Sequence, residues 1–181
     1  MNRSLTSALL AVTLTLGCGG VAVAQAPKPK PAQVQAVDPW VAIYAAEARK
    51  DYDTEVRLLR TLVAKGSAEA QYWLALSYRD GQGVAQDYKE AARLYRLAAA
   101  QGYAEAQSNL GVMYENGTGV AQDYLRAHMW FNLAASSLSV EGRKKASTNR
   151  DIVAAKMTPT QIAEAQAMAR KCQASNFKQC D

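Results

Sequence analysis

Two stretches decide the fold: GQGVAQDY, from Gly81 to Tyr88, and GTGVAQDY, from Gly117 to Tyr124. They differ only at Gln82 against Thr118, and they stand 36 residues apart. A fixed offset of this size marks stacked supersecondary units rather than an isolated chemical loop. Working outward, residues 64–99 and 100–135 agree at 19 of 36 positions without a gap. The shared letters are A-x-G-x-A-E-A-Q-x-x-L, then Y-x-x-G-x-G-V-A-Q-D-Y, then A and L-A-A.

Each unit reads as two helices. Helix A is expected near Ala68–Arg79 in the first unit and near Ala104–Glu115 in the second. Ala70, Leu74, Tyr78 and their counterparts Ala106, Leu110, Tyr114 recur every four residues, which gives one apolar stripe. The small residues Ala75 and Gly111 leave room for a neighbouring helix. Helix B is expected from Tyr88 to Ala100 and from Tyr124 to Ala135. Its buried side carries Ala91, Leu94, Tyr95, Ala98 and Ala127, Trp130, Phe131, Ala134.

The connecting stretch then has a physical reading. Gly81 and Gly117 follow the last periodic residue of helix A, where a left-handed C-terminal cap favours glycine. Gly83 and Gly119 supply a second residue free to take positive φ. Val84 and Val120 return an apolar side chain to the seam, and Asp87 and Asp123 cap helix B. Glu90, three after Asp87, is expected to complete a capping box, a place held by Arg126 in the second unit. A phosphate cradle does not fit, because G-x-G-V lacks the six-residue fingerprint, the Lys-Ser/Thr pair and a preceding strand.

This pattern resembles the Sel-1-like repeat family, a relative of the tetratricopeptide repeats. The residues that carry the resemblance are GSAEAQYWLALSYRDGQGVAQDYKEAARLYRLAAAQG and GYAEAQSNLGVMYENGTGVAQDYLRAHMWFNLAA. A half unit precedes them, with Asp51-Tyr52 and Arg57-Leu58 in register with Asp87-Tyr88 and Arg93-Leu94. Its first helix, near Trp40–Lys50, lacks the double-glycine loop and departs from the family pattern. The resemblance implies an all-α fold: a short right-handed α-solenoid of antiparallel helix pairs with capping helices at both ends. The expected boundaries are a cap or half repeat at 39–65, repeats at 66–101 and 102–137, C-terminal cap helices within 140–175, and a tail at 176–181. Thr158 is expected to cap the final helix, with Pro159 at its first position and Gln161 at its third; Ile162, Ala165, Met168 and Ala169 form its apolar face. Similar tails carrying MTP-x-QIAEAQ accompany bacterial proteins of the family.

The N-terminus adds a destination. Arg3 precedes a 12-residue run from Leu5 to Leu16 built of Leu, Ala, Val and Thr with one Ser. This is short of the roughly 20 residues a stable membrane span needs. Ala22-Val23-Ala24 then offers an A-x-A cleavage site before Gln25, so residues 1–24 read as a signal peptide and 25–38 as a Pro/Lys-rich linker. The expected localisation is periplasmic or secreted. Cys18, after Thr15-Leu16-Gly17, offers the alternative of a lipoprotein, with Thr15 where Leu is usual; membrane attachment depends on that alternative. Cleavage after Ala24 would leave Cys172 and Cys180 as an even pair suited to a disulfide in an oxidising compartment, with two free thiols as the other reading.

The formal charge is +5, without a basic stripe interleaved with aromatic platforms, so nucleic acid is not an expected partner. The cluster Arg143-Lys144-Lys145 with Arg150 reads as an exposed helical face. Catalytic motifs are absent: the single histidine, His128, reads as a helix B packing or surface residue, and no H-E-x-x-H, C-x-x-C or G-x-S-x-G occurs. Glu69 and Glu105 recur in the first turn of helix A, where they oppose the helix dipole. Neither cofactor nor metal is expected. Removing the stacking positions from the A helices leaves Tyr72, Trp73, Leu76 and Arg79 in the first and Ser108, Asn109, Val112 and Glu115 in the second. These are the candidate partner-binding residues on a concave face, although Trp73 and Leu76 could instead pack on the cap. The expected function is a non-enzymatic protein–protein interaction module of the bacterial envelope, monomeric, with a peptide or protein partner. The alternatives are a hydrolase acting on envelope peptidoglycan and a surface-anchored assembly factor.

Overall fold

The computed structural model describes residues 38–180. Residues 1–37, on which the expected signal peptide, nearly all of the expected linker and Cys18 fall, lie outside them. Eight helices follow one another: α1 (Pro39–Ala48), α2 (Tyr52–Ala64), α3 (Ala68–Asp80), α4 (Tyr88–Ala99), α5 (Ala104–Asn116), α6 (Tyr124–Ser137), α7 (Val140–Ala154) and α8 (Pro159–Ala174). Each of the first six packs against its successor, which makes an α-solenoid of helix pairs. In the two full repeats α3 and α5 are the A helices, and α4 and α6 the B helices. None of the described helices is long and apolar enough to cross a membrane.

Helix starts follow the sequence closely. Asp38, Asp51, Ser67, Asp87, Asp123 and Thr158 each accept from a backbone N–H of the first turn, which satisfies donors that the helix itself leaves open. The capping box expected at Asp87 does not form. Asp87 accepts from the Lys89 and Glu90 amides, but the Glu90 carboxylate turns away to take two hydrogen bonds from Arg93 at 2.7 and 2.8 Å. A guanidinium one turn on competes better for a carboxylate than a backbone amide does. The Asp87 amide instead donates to the Tyr78 carbonyl. A full capping box stands at Thr158 and Gln161.

The repeated loop is held by nearly every shared letter. Gly81 and Gly117 close helix A at φ 70° and 68°. Gly83 and Gly119 also have positive φ, and a Cβ there would collide with the backbone carbonyl of Tyr52 or Tyr88, the first residue of the preceding B helix. Gln86 and Gln122 each donate at 2.8 Å to the carbonyl of the residue seven before, Arg79 or Glu115, tying loop to helix. Val84 and Val120 pack against the core as expected.

The core runs through the B helices. Ala91, Leu94, Tyr95, Ala98, Ala127, Trp130, Phe131 and Ala134 are all buried. Gly111 is a notch: a Cβ there would lie 2.8 Å from the Phe131 ring. Two further glutamines of the A-E-A-Q motif are buried and bonded, Gln71 to Gln101 at 2.8 Å and Gln107 to the Ala99 carbonyl at 3.2 Å. In α6 the buried set widens to His128, Met129 and Leu133. The reason is the end of the chain. α7 and α8 do not continue the stack as a simple pair; both lie on α6, so that helix is covered on more sides than α4. Cys172 and Cys180 are joined in a disulfide, and Phe177, between them, lies against Gly102.

Candidate binding face

The A helices carry a band of aromatic and polar side chains that stacking does not consume. Tyr72 lies at its centre. Its ring is 5.0 Å from that of Tyr103, 5.7 Å from Trp73 and 6.0 Å from Tyr95. Tyr95 is wholly buried. Burial raises the Tyr72 phenol, with Glu105 adding to it. Burial likewise pushes Tyr103 up to about 12. Both hydroxyls are protonated at neutral pH, as an ordinary tyrosine is.

Trp73 is half-buried, and its indole N–H is buried without an acceptor. That is a costly omission in a packed protein, on the order of 1–3 kcal/mol for an unmet polar group. Trp73 and Leu76 line a hollow of about 250 Å³ together with Glu47, Tyr52, Glu55, Ser77, Arg79, Asp80 and Gln82. The alternative reading, in which these two side chains simply pack on the cap, is half right: both touch the core cluster, yet both also border open space.

Arg79 is locked to Asp80 by two hydrogen bonds of 2.7 Å. That hydrogen bonding raises the guanidinium pKa and lowers the Asp80 carboxyl. The pair is the wall between the 250 Å³ hollow and a second of about 470 Å³, which Gln86, Tyr88, Val112, Met113, Asn116 and Thr118 complete. Asn109 faces the Tyr72 and Tyr95 hydroxyls. Ser108 is half-buried on the same helix. Glu115 stands apart from the others, because Lys156 has reached it at 3.0 Å and lies over the Tyr124 ring. Seven of the eight sequence-picked residues thus stay uncommitted to an ion pair from another element, and Glu115 does not. Sequence reasoning missed Glu55 and Tyr103. The signal for Glu55 was present, since the 36-residue register sets it against Ala91 and Ala127. Among the described residues, no three His, Cys, Asp or Glu side chains gather as a metal site.

With the paired helices, the glycine loops and their register in place, the family model of the Sel1 repeat matches residues 68–103 and again residues 104–137. The chain carries two Sel1 repeats. A protective antigen of uropathogenic Escherichia coli strains, c5321, displays the same fold; it is 28% identical, with a TM-score of 0.68 over 78% of this chain. A Sel1 repeat protein from Oxalobacter formigenes is 31% identical, with a TM-score of 0.54 over 60% of this chain. The match spans 32% of the first protein and 43% of the second, less than half of either chain. No curated protein matches the sequence. Against the boundaries of the Sel1 repeats, α1 and α2 lie before the first and α7 and α8 beyond the second.

Proposed function

We propose that the chain is a non-enzymatic interaction module of the bacterial cell envelope that binds a protein or peptide partner on its A-helix face. The observation that carries this reading is the aromatic band around Tyr72, with Trp73 and Leu76 bordering a hollow beside it. Tyr, Trp and Arg are the residue types that dominate binding hot spots. The repeats differ on this face: Tyr72-Trp73 in the first is Ser108-Asn109 in the second, while seven of the eight loop letters stay fixed. In helical-pair arrays the residues not used for stacking are the ones free to meet a partner.

The envelope setting rests on three supports. The N-terminus has the order of a secretory signal, the Cys172–Cys180 bridge suits an oxidising compartment, and the E. coli relative is described as a protective antigen. Crosslinking capture from envelope extract tests the face directly, using wild type and a Tyr72→Ala, Trp73→Ala, Arg79→Ala variant checked for intact helicity. The variant should lose the partners that wild type retains. Recovery of the same partners by both proteins contradicts the assignment.

A further inference from the structure

The two full repeats fill one stacking position with alanine, Ala91 and Ala127, both wholly buried. In the half repeat the same register position is Glu55, which is only 7% exposed. The residue is largely covered while its carboxylate keeps contact with water, and a partly desolvated carboxylate gains from a cation or donor beside it. Among the described residues, no side chain or backbone donor engages the Glu55 carboxylate.

The carboxylate instead borders the 250 Å³ hollow, whose wall includes Glu47, Tyr52, Trp73 and Leu76. The cation on that wall, Arg79, is already held by Asp80. The hollow therefore presents two unpaired carboxylates between apolar and aromatic side walls. It is smaller than the roughly 300–1,000 Å³ of sites for drug-sized ligands, which suits a single side chain.

We propose that this hollow receives a lysine or arginine side chain of the bound peptide, its charged head on Glu55 with Glu47 behind, its stem along Trp73 and Leu76. The proposal deepens the A-face reading and rests on it: the partner would be one that presents a basic residue in an accessible segment. A cation over the Trp73 ring adds the attraction of the ring's negative face. Burial, with the charge of Glu47 second, holds the Glu55 carboxyl above its ordinary range, and a cation seated there would draw it back down. The alanine of the other two repeats shows that the fold does not need an acid at this place.

The test is a nuclear magnetic resonance titration of the 15N-labelled full chain with three acetylated, amidated tripeptides: Ala-Arg-Ala, Ala-Lys-Ala and Ala-citrulline-Ala. The reporter is the Trp73 indole resonance, assigned by its loss in Trp73→Phe. The arginine and lysine peptides should move it, and the neutral citrulline peptide should bind at least tenfold more weakly. Glu55→Gln, which keeps the shape of the side chain, should reduce basic-peptide binding at least tenfold while the rest of the spectrum stays dispersed. An indole unmoved by the basic peptides, or moved equally by citrulline or in Glu55→Gln, overturns the proposal. That failure is distinct from failure of the A-face reading. Partner capture that still depends on Tyr72 and Arg79 keeps the face and removes only this pocket, whereas charge-selective peptide binding with capture indifferent to the face keeps the pocket and removes the wider interface.

Discussion

The backbone of Gly119 lies directly against the carbonyl of Tyr88, and a Cβ at Gly119 would overlap it. Gly83 repeats the contact one unit earlier, against the Tyr52 carbonyl. The second glycine of each loop is therefore where one repeat seats on the B helix before it. Its conservation between copies reflects a backbone-to-backbone approach as well as a turn conformation.

Gly119→Ala and Gly83→Ala should each cost about 2–4 kcal/mol, combining the strain of a left-handed residue with displacement of the neighbouring backbone. Gly81→Ala, where a Cβ would meet Gln86 Cβ at 3.4 Å, should cost only about 1 kcal/mol. Urea denaturation followed by circular dichroism separates the two classes. Equal losses at Gly81 and Gly119 would show that turn strain alone explains the motif.

His128 is 2% exposed, and its Nδ1 has no partner among the described residues. Burial and, second, the charge of Arg150 hold its pKa below the ordinary 6.5, with Asp151 opposing. The unfolded chain then binds the proton more tightly, so this contribution to stability is present above about pH 6.5 and is lost as pH falls through the folded value. His128→Gln should flatten the decline in Tm between pH 7.5 and 5. Parallel curves for the two proteins would remove His128 as the cause.

Glu55 works in the opposite sense. Its carboxyl is raised above 4.5 in the folded chain, so the folded state favours the protonated form, and that stabilisation is present below pH 4.5 and lost as pH rises through the folded value. At pH 7.5, Glu55→Gln should raise Tm, and the gain should shrink as the buffer is taken below pH 4.5. A variant less stable than wild type at neutral pH would mean that the charge has a partner in the fold.

Most of this architecture was legible in the sequence because the repeat states each requirement twice. Gly81 with Gly117, Leu74 with Leu110, and Asp87 with Asp123 each confirm the other's role, and all lie where the register puts them. The readings that failed concern groups with more than one partner available. Glu90 had an amide and an arginine within reach, and Arg93 won. Glu115 read as a free face residue because Lys156, 41 positions away, is brought to it only by the packing of α7. His128 read as a helix B packing or surface residue, and it packs; the depth of its burial comes from α7 and α8 both covering α6. Within the site, Tyr72 and Trp73 were visible as the letters that break the repeat. Glu55 was equally visible, but only to a comparison that carries the register back into the half repeat.

The Cys172–Cys180 bridge joins residues eight apart at the end of α8 and holds Phe177 against Gly102. Its removal in Cys172→Ala, Cys180→Ala should cost about 2 kcal/mol, as expected for a loop this short. Hydrogen exchange should rise around residues 172–180 and at Gly102, while α3 keeps its protection. Faster exchange throughout the domain would mean that the bridge supports the whole stack.

The most direct measurement of the central claim is site-specific photocrosslinking in intact cells, with the photoreactive residue placed in turn at Tyr72, at Asn109 and at Leu97. Leu97 is 41% exposed on α4, a B helix. A partner adduct from positions 72 and 109 with none from 97 is the predicted result. An adduct that forms equally well from 97, or only from it, would contradict the assignment of the A-helix face.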